Sequence, residues 1–412
     1  MMDETFVIVG ASLAGGWAAA TLRGEGFDGR VILIGAEPRP PYERPPLSKE
    51  YLRGESSFES ALVRPPGFYE ENGIESRFGV RATRVDAAEK MVELAGGERV
   101  AYDKLLIATG SRNRHLPIPG LDLDGIYDLR TVADSDRIRA EIAPGRKAVV
   151  VGMGFVGSEV TASLRRSGVD VVVVDRNDVP LRRVLGEEVG RAIEGIHRDH
   201  RASMVFEDRV AAFEGAGRVE LVTTARGRRI ECDFVVVGLG SEPVTDLLAG
   251  TGAEIDNGIV VDEYLRTSLQ GIYAAGDVAN HYHPVFGRRI RVEHWQNALK
   301  QGPAAARSML GKGEPYDEVP WFWSDQHEYN LQYAGFHTEW DELIVRGSMD
   351  ERNFVAFYRK DERVLAAVAI NRGKDLRRSI PLIKAQEPVD AARLCDLAVD
   401  LRTLTNGAVG AR

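Results

Sequence analysis

The sequence predicts an α/β protein built from two dinucleotide-binding domains, the second inserted in the first, followed by a C-terminal α+β domain. Three observations predict it. An apolar β-branched run stops at a glycine and passes into a small-residue helix near residue 10, and the same pattern recurs near residue 150. After Pro320 the pattern changes to period-two alternation. Both glycine turns are Rossmann-like, and two in one chain imply two dinucleotides that meet. The most economical pair is a flavin accepting hydride from a nicotinamide.

The first motif runs Phe6-Val7-Ile8-Val9-Gly10-Ala11-Ser12-Leu13-Ala14-Gly15. Gly10 makes the tight turn, Gly15 lets the helix approach the strand, and the helix N-terminus offers N–H groups to a pyrophosphate. The next strand, Val31 to Gly35, ends just before Glu37, whose carboxylate is placed to accept from ribose hydroxyls. Ser12 stands where the usual fingerprint has its middle glycine.

The second motif, Gly152-Met153-Gly154-Phe155-Val156-Gly157, has all three glycines. A valine run then delivers Asp175, 23 positions after Gly152, near the ~20-residue offset of a ribose-binding acid. An acid there repels a 2′-phosphate and favours NADH. Arg176, Arg182 and Arg183 argue for NADPH, because guanidinium groups clamp phosphates. Glu159 lies two residues past Gly157, where a helix-dipole role needs no function.

Segment boundaries follow the changes of pattern. Residues 1–111 form the first part of the first dinucleotide domain, ending in Ala108-Thr109-Gly110, and a Pro-rich crossing from Leu116 to Gly120 follows. Residues 112–240 form the second dinucleotide domain, ending after Val235 to Gly238. Residues 241–319 return to the first domain and include Asp277 and Val278. Residues 320–412 form the C-terminal domain, with strands at 342–347, 354–358 and 364–368 and a loose tail from about Asn406.

Composition narrows the function. Of 412 residues, 44% are hydrophobic and 28% charged, the balance of a water-soluble globular protein. No stretch reaches the ~18–20 apolar residues of a membrane helix. A strand starting within five residues leaves no room for a secretory signal, so the expected compartment is the cytoplasm. A net charge of −9 argues against nucleic acid as a partner. The two cysteines, Cys232 and Cys395, form no Cys-x-x-Cys pair, so there is no redox dithiol, and no metal or iron–sulfur ligand set is predicted. Cys232 reads as a small buried hydrophobe.

A further group of segments occurs in order: Pro41-Tyr42-Glu43-Arg44-Pro45-Pro46-Leu47-Ser48-Lys49, Ala108-Thr109-Gly110, Ala274-Ala275-Gly276-Asp277-Val278, Val292-Glu293-His294-Trp295-Gln296-Asn297-Ala298 and Trp321-Phe322-Trp323-Ser324-Asp325-Gln326. Together they resemble the FAD-dependent ferredoxin reductases of oxygenase and cytochrome P450 electron-transfer chains. The resemblance spans residue 5 to about 380 and implies FAD, NAD(P)H and a [2Fe–2S] ferredoxin acceptor. It sets Gly10, Ser12, Ala14 and Gly15 along the FAD pyrophosphate and Glu37 on the adenosine ribose. Arg44, Lys49, Ala82, Ala108, Thr109, Gly110, Arg130, Asp277, Val278 and Trp295 are further flavin contacts, and the resemblance implies a helix start at Val278. Gly152, Gly154, Phe155, Val156, Gly157, Asp175, Arg176 and Gly238 hold the nicotinamide nucleotide. Lys49, near the isoalloxazine, and Glu159, near the nicotinamide carboxamide, are the catalytic candidates.

Alternatives with the same fold are an NADH oxidase, a rubredoxin reductase, or a non-enzymatic NADH-sensing flavoprotein. A monomer or weak homodimer is expected. Arg288, Arg289 and Arg291, and Arg372, Lys374, Arg377 and Arg378, form two basic clusters suited to an acidic ferredoxin.

Overall fold

A computed structural model describes residues 4–115 and 117–405. Leu116 in the Pro-rich crossing and the tail beyond Thr405 lie outside the described residues. The chain divides into two compact units. The first comprises 1–43, 58–112 and 241–320, and the second 44–57, 113–240 and 321–412.

The first unit is centred on a five-stranded parallel sheet. Its order is Ile272–Ala274, Lys104–Ile107, Thr5–Val9, Arg30–Gly35 and Ile74–Phe78. Parallel strands covered on both faces read as continuous apolar runs, which is why Phe6-Val7-Ile8-Val9 shows no alternation. Val7, Ile8, Val31, Ile32 and Leu33 are fully buried, each worth about 1.5–3 kcal/mol of hydrophobic transfer. Helices Leu13–Gly24 and Trp295–Met309 pack together, and Gly302 makes that possible. A Cβ at Gly302 would stand 2.3 Å from the carbonyl oxygen of Ala14.

Among the described residues, the second unit carries a small three-stranded sheet and two five-stranded ones. One of the larger two is parallel, in the order Ser203–Val205, Asp170–Val174, Lys147–Val151, Phe234–Val237, Ile126–Asp128. The other is antiparallel, in the order Trp321–Gln326, Tyr329–Gly335, Arg363–Ile370, Asn353–Lys360, Glu342–Ser348. Helix Arg182–Asp199 lays Leu185, Val189, Ile193 and Ile196 against Phe322, Leu331, Phe354 and Tyr358 of the antiparallel sheet. Cys232 is buried, and burial pushes its thiol up to about 12, the behaviour of a packing residue.

Two local expectations are corrected. Val278 closes a single 3₁₀ turn, Gly276–Val278, and the chain then enters strand Ala279–His283 rather than a helix. Pairing of Ala279–His281 with Ile259–Val261 takes up the backbone there. Glu159 is the fifth residue of helix Phe155–Arg166, past the first turn, so it does not serve as a dipole-compensating acid at the N-terminus.

Candidate active site

In the first unit, the turn after Thr5–Val9 is shaped by two glycines. Gly10 has φ +117°, and a Cβ there would lie 2.1 Å from the carbonyl oxygen of Ala108. A Cβ on Gly15 would stand 1.9 Å from the oxygen of Gly10. Helix Leu13–Gly24 therefore starts hard against the strand. Its N-cap, Ser12, makes no side-chain cap bond, and its first turn contains no acid. The leading N–H groups, Ala14 among them, have no intrahelical partner by helix geometry, so the end is built to receive an anion.

Around it, Glu37 accepts from the Tyr42 hydroxyl at 2.5 Å. Ala82 opens the strand Ala82–Asp86 and packs against the unit's core. Thr109 donates to the Val244 carbonyl at 2.7 Å, and the Val244 N–H donates to Gly110 at 3.0 Å. Asp277 accepts from the Ser111 hydroxyl at 2.9 Å, while the preceding Gly276 N–H donates to the Gln301 side chain at 2.9 Å. Trp295 heads helix Trp295–Met309, and burial pushes the Glu43 carboxyl above its usual range, an effect the Trp295 side chain opposes.

The second unit repeats the turn. Gly152 has φ +92° and a Cβ there would lie 2.3 Å from the Gly238 carbonyl oxygen, while one on Gly157 would lie 2.0 Å from that of Gly152. Gly154 is the N-cap of helix Phe155–Arg166, is exposed, and a Cβ on it would meet no protein atom within 4 Å. Nothing in the protein requires a glycine there, whereas a phosphate lying on the loop would. Val156 is 45% exposed beside it, and Phe155 turns inward onto Phe322, with ring centroids 4.6 Å apart. No acid occupies the first turn. Both glycine turns thus fit a dinucleotide pyrophosphate.

Asp175, the expected ribose acid, is engaged within the protein. It is buried, one oxygen accepts from the Met153 N–H at 2.6 Å, and the other accepts from the Asn177 backbone and side chain at 2.7 and 2.8 Å. Three of a carboxylate's roughly four acceptor positions are therefore used, one on the glycine loop and two on Asn177. Arg176 and Arg183 are exposed, while Arg182 pairs with Glu187 at 2.8 Å.

The segment 44–57 belongs to this second unit. Arg44 donates to the Arg130 carbonyl, so these two residues, far apart in sequence, are neighbours. Lys49 and Glu159, the two catalytic candidates, form a buried ion pair with Nζ to Oε1 at 3.0 Å. Ser48 donates to Oε2 of Glu159 at 2.5 Å and Ser324 to Oε1 at 2.7 Å. Sequence reasoning missed Ser48, Ser324, Gln301 and Gly302. Ser48 and Ser324 carried a signal, through the Pro41–Lys49 and Trp-Phe-Trp-Ser-Asp-Gln segments.

Fold, paired glycine turns and buried Lys–Glu couple define a flavin- and pyridine-nucleotide-dependent oxidoreductase. Residues 4–302 match the family model for pyridine nucleotide-disulphide oxidoreductases, and 321–405 match the reductase C-terminal model. The chain belongs to this family. Among its relatives, rhodocoxin reductase of Rhodococcus erythropolis is 38% identical over 97% of this chain and 93% of its own. Putidaredoxin reductase of Pseudomonas putida is 34% identical over 98% of this chain and 97% of its own. The crystal structure of a covalent putidaredoxin reductase–putidaredoxin complex matches with a TM-score of 0.95 at 34% identity, covering 98% of both chains. No helix among the described residues is long and apolar enough to cross a membrane.

Proposed function

We propose that this chain is an FAD-containing reductase that takes electrons from NADH and delivers them singly to a [2Fe–2S] ferredoxin serving an oxygenase or cytochrome P450. The supporting observation is the buried Lys49–Glu159 pair on the helix of the three-glycine turn. It occurs in a chain whose full-length relatives are reductases of this kind. The first unit is proposed as the FAD domain and the parallel sheet of the second as the NADH domain. The reductase is proposed to work in the cytoplasm as a monomer or weak homodimer.

When bound, the flavin supplies the conversion of a two-electron donor into one-electron transfers. The chain's own residues bind and orient. Backbone N–H groups at Leu13 to Gly15 hold the FAD pyrophosphate, with Glu37 on the ribose and Asp277 on the ribityl chain. The Gly154 turn holds the NADH pyrophosphate. Glu159 accepts from the nicotinamide carboxamide, and Lys49 balances its charge away from water. Asp175, at the end of the second strand, disfavours a 2′-phosphate.

Heat-released flavin should be FAD, one per chain, and cytochrome c reduction by NADH should require an added ferredoxin. FMN in place of FAD, or rapid oxygen consumption that makes the ferredoxin unnecessary, refutes the proposal.

A further inference from the structure

Ser324 and Gln326 sit two apart on strand Trp321–Gln326, so both point to its buried side, and they are 0% and 2% exposed. Each has a defined partner on either side. The Ser324 hydroxyl gives its one proton to Glu159 at 2.7 Å and accepts from the Gln326 amide at 3.2 Å. The Gln326 carbonyl oxygen lies 3.0 Å from Nε2 of His197, a fully buried residue of helix Arg182–Asp199. Since Gln326 spends its NH₂ on Ser324, its oxygen accepts, and His197 carries its proton on Nε2. His197 is neutral, because burial lowers it to about 4. Nδ1, the other ring nitrogen, has no hydrogen-bond partner and is held in place by packing alone.

Every donor in this line points toward Glu159. His197 donates to Gln326, Gln326 to Ser324 and Ser324 to the carboxylate, which Lys49 and Ser48 also contact. Hydrogen bonds aligned head to tail in a low-dielectric interior polarise and strengthen one another. We propose that His197, Gln326 and Ser324 form a directed relay of positioning residues that fixes the Glu159 carboxylate for the nicotinamide carboxamide. This rests on the proposed role of Glu159. The antiparallel C-terminal sheet is thereby part of the pyridine-nucleotide site: it supplies Ser324 and Gln326, and its Phe322 packs on the same helix as Glu159.

The test is equilibrium binding to the oxidised holoenzyme of NAD⁺ and of ADP-ribose, which lacks the nicotinamide. The variants are Glu159→Gln, Ser324→Ala, Ser324→Thr and Gln326→Leu. Ser324→Ala should weaken NAD⁺ about tenfold, the effect of one lost hydrogen bond to a charged group, and Gln326→Leu about three- to fivefold, the effect of a lost bond between neutral groups, both leaving ADP-ribose unchanged. Ser324→Thr, which keeps the hydroxyl, should bind both as the parent does. If Glu159→Gln weakens NAD⁺ selectively while Ser324→Ala and Gln326→Leu do not, the relay is refuted and the role of Glu159 stands. Equal weakening of NAD⁺ and ADP-ribose refutes the relay as well, since it marks damage to the whole domain. If Glu159→Gln leaves NAD⁺ unchanged, the role of Glu159 is refuted, and the relay with it.

Discussion

Two histidines should make this protein lose stability between pH 7.5 and 5.5, well above the range in which carboxylates titrate. His197 in the second unit and His281 in the first are both fully buried. Burial lowers His197 to about 4, and burial followed by the neighbouring His283 lowers His281 to about 3. Nδ1 of His281 faces the Gln301 amide at 3.2 Å, a donor that a protonated ring would oppose. An unfolded histidine titrates near 6.5, so over this window the unfolded chain binds protons that the folded chain refuses. Stability is therefore fully present above the unfolded value and is lost as pH falls toward the folded values. At pH 5.5 each such histidine costs about 1.4 kcal/mol relative to pH 7.5, and the pair about 3 kcal/mol. Carboxylates held low, such as Glu141 with Arg218, Tyr127 and Arg146 around it, give up their contribution only at lower pH. The assay is urea unfolding of FAD-saturated protein at both pH values, for the parent and for His197→Phe with His281→Phe. The double variant should shrink the pH difference by about 3 kcal/mol, whatever its absolute stability. An undiminished difference would show that these histidines are not the groups that titrate.

Asp175→Asn should narrow the preference of kcat/KM for NADH over NADPH, by removing the charge that opposes a 2′-phosphate. It should also weaken both nucleotides, because the Met153 N–H loses a charged acceptor; an unchanged ratio in steady-state kinetics would assign the preference elsewhere. In the basic clusters, Arg291 is paired with Glu293, and Arg372 and Arg378 with Asp375, while Arg288 and Arg289 are exposed on strand Arg288–Arg291 and Lys374 and Arg377 on helix Gly373–Ala385. Charge reversal at Lys374 and Arg377 should slow ferredoxin reduction and flatten its salt dependence, since exposed charges are screened over about 8–10 Å. Stopped-flow flavin reduction by NADH should be unchanged, and a wild-type ferredoxin rate at low salt would exclude this patch as the docking surface.

The parts of the fold legible in the sequence are those set by local physics. Buried parallel strands appear as unbroken Val/Ile/Leu runs, the antiparallel sheet as alternation, and the turns as glycines that no other residue replaces. The hydroxyl partners of Glu159, Ser48 and Ser324, were not legible as such, because they come from two distant segments that share no spacing rule with it. Ser48 sits in a 3₁₀ turn whose position depends on Ser163 donating to its carbonyl at 2.7 Å and Ser135 donating to that of Leu47 at 2.8 Å. His197 looks like any histidine on an amphipathic helix. Asp175 was legible as the acid closing the second strand, but its grip on the Met153 N–H depends on backbone placement that spacing does not encode.

The two glycine turns separate what the fold demands from what a ligand demands. Their outer glycines are under nearly the same constraint: an added Cβ would meet a carbonyl oxygen at 2.1 and 1.9 Å in the first turn, and at 2.3 and 2.0 Å in the second. Those contacts are backbone on backbone and no rotamer relieves them, so these four glycines would be needed in a protein that bound nothing. The middle position behaves differently. Gly154 faces open space, and its counterpart Ser12 carries a side chain with no cap bond to make. Strand–helix packing is therefore indifferent to the middle residue, and its identity reports on the ligand that lies there. A serine in one turn and a glycine in the other is thus a difference that strand–helix packing does not demand.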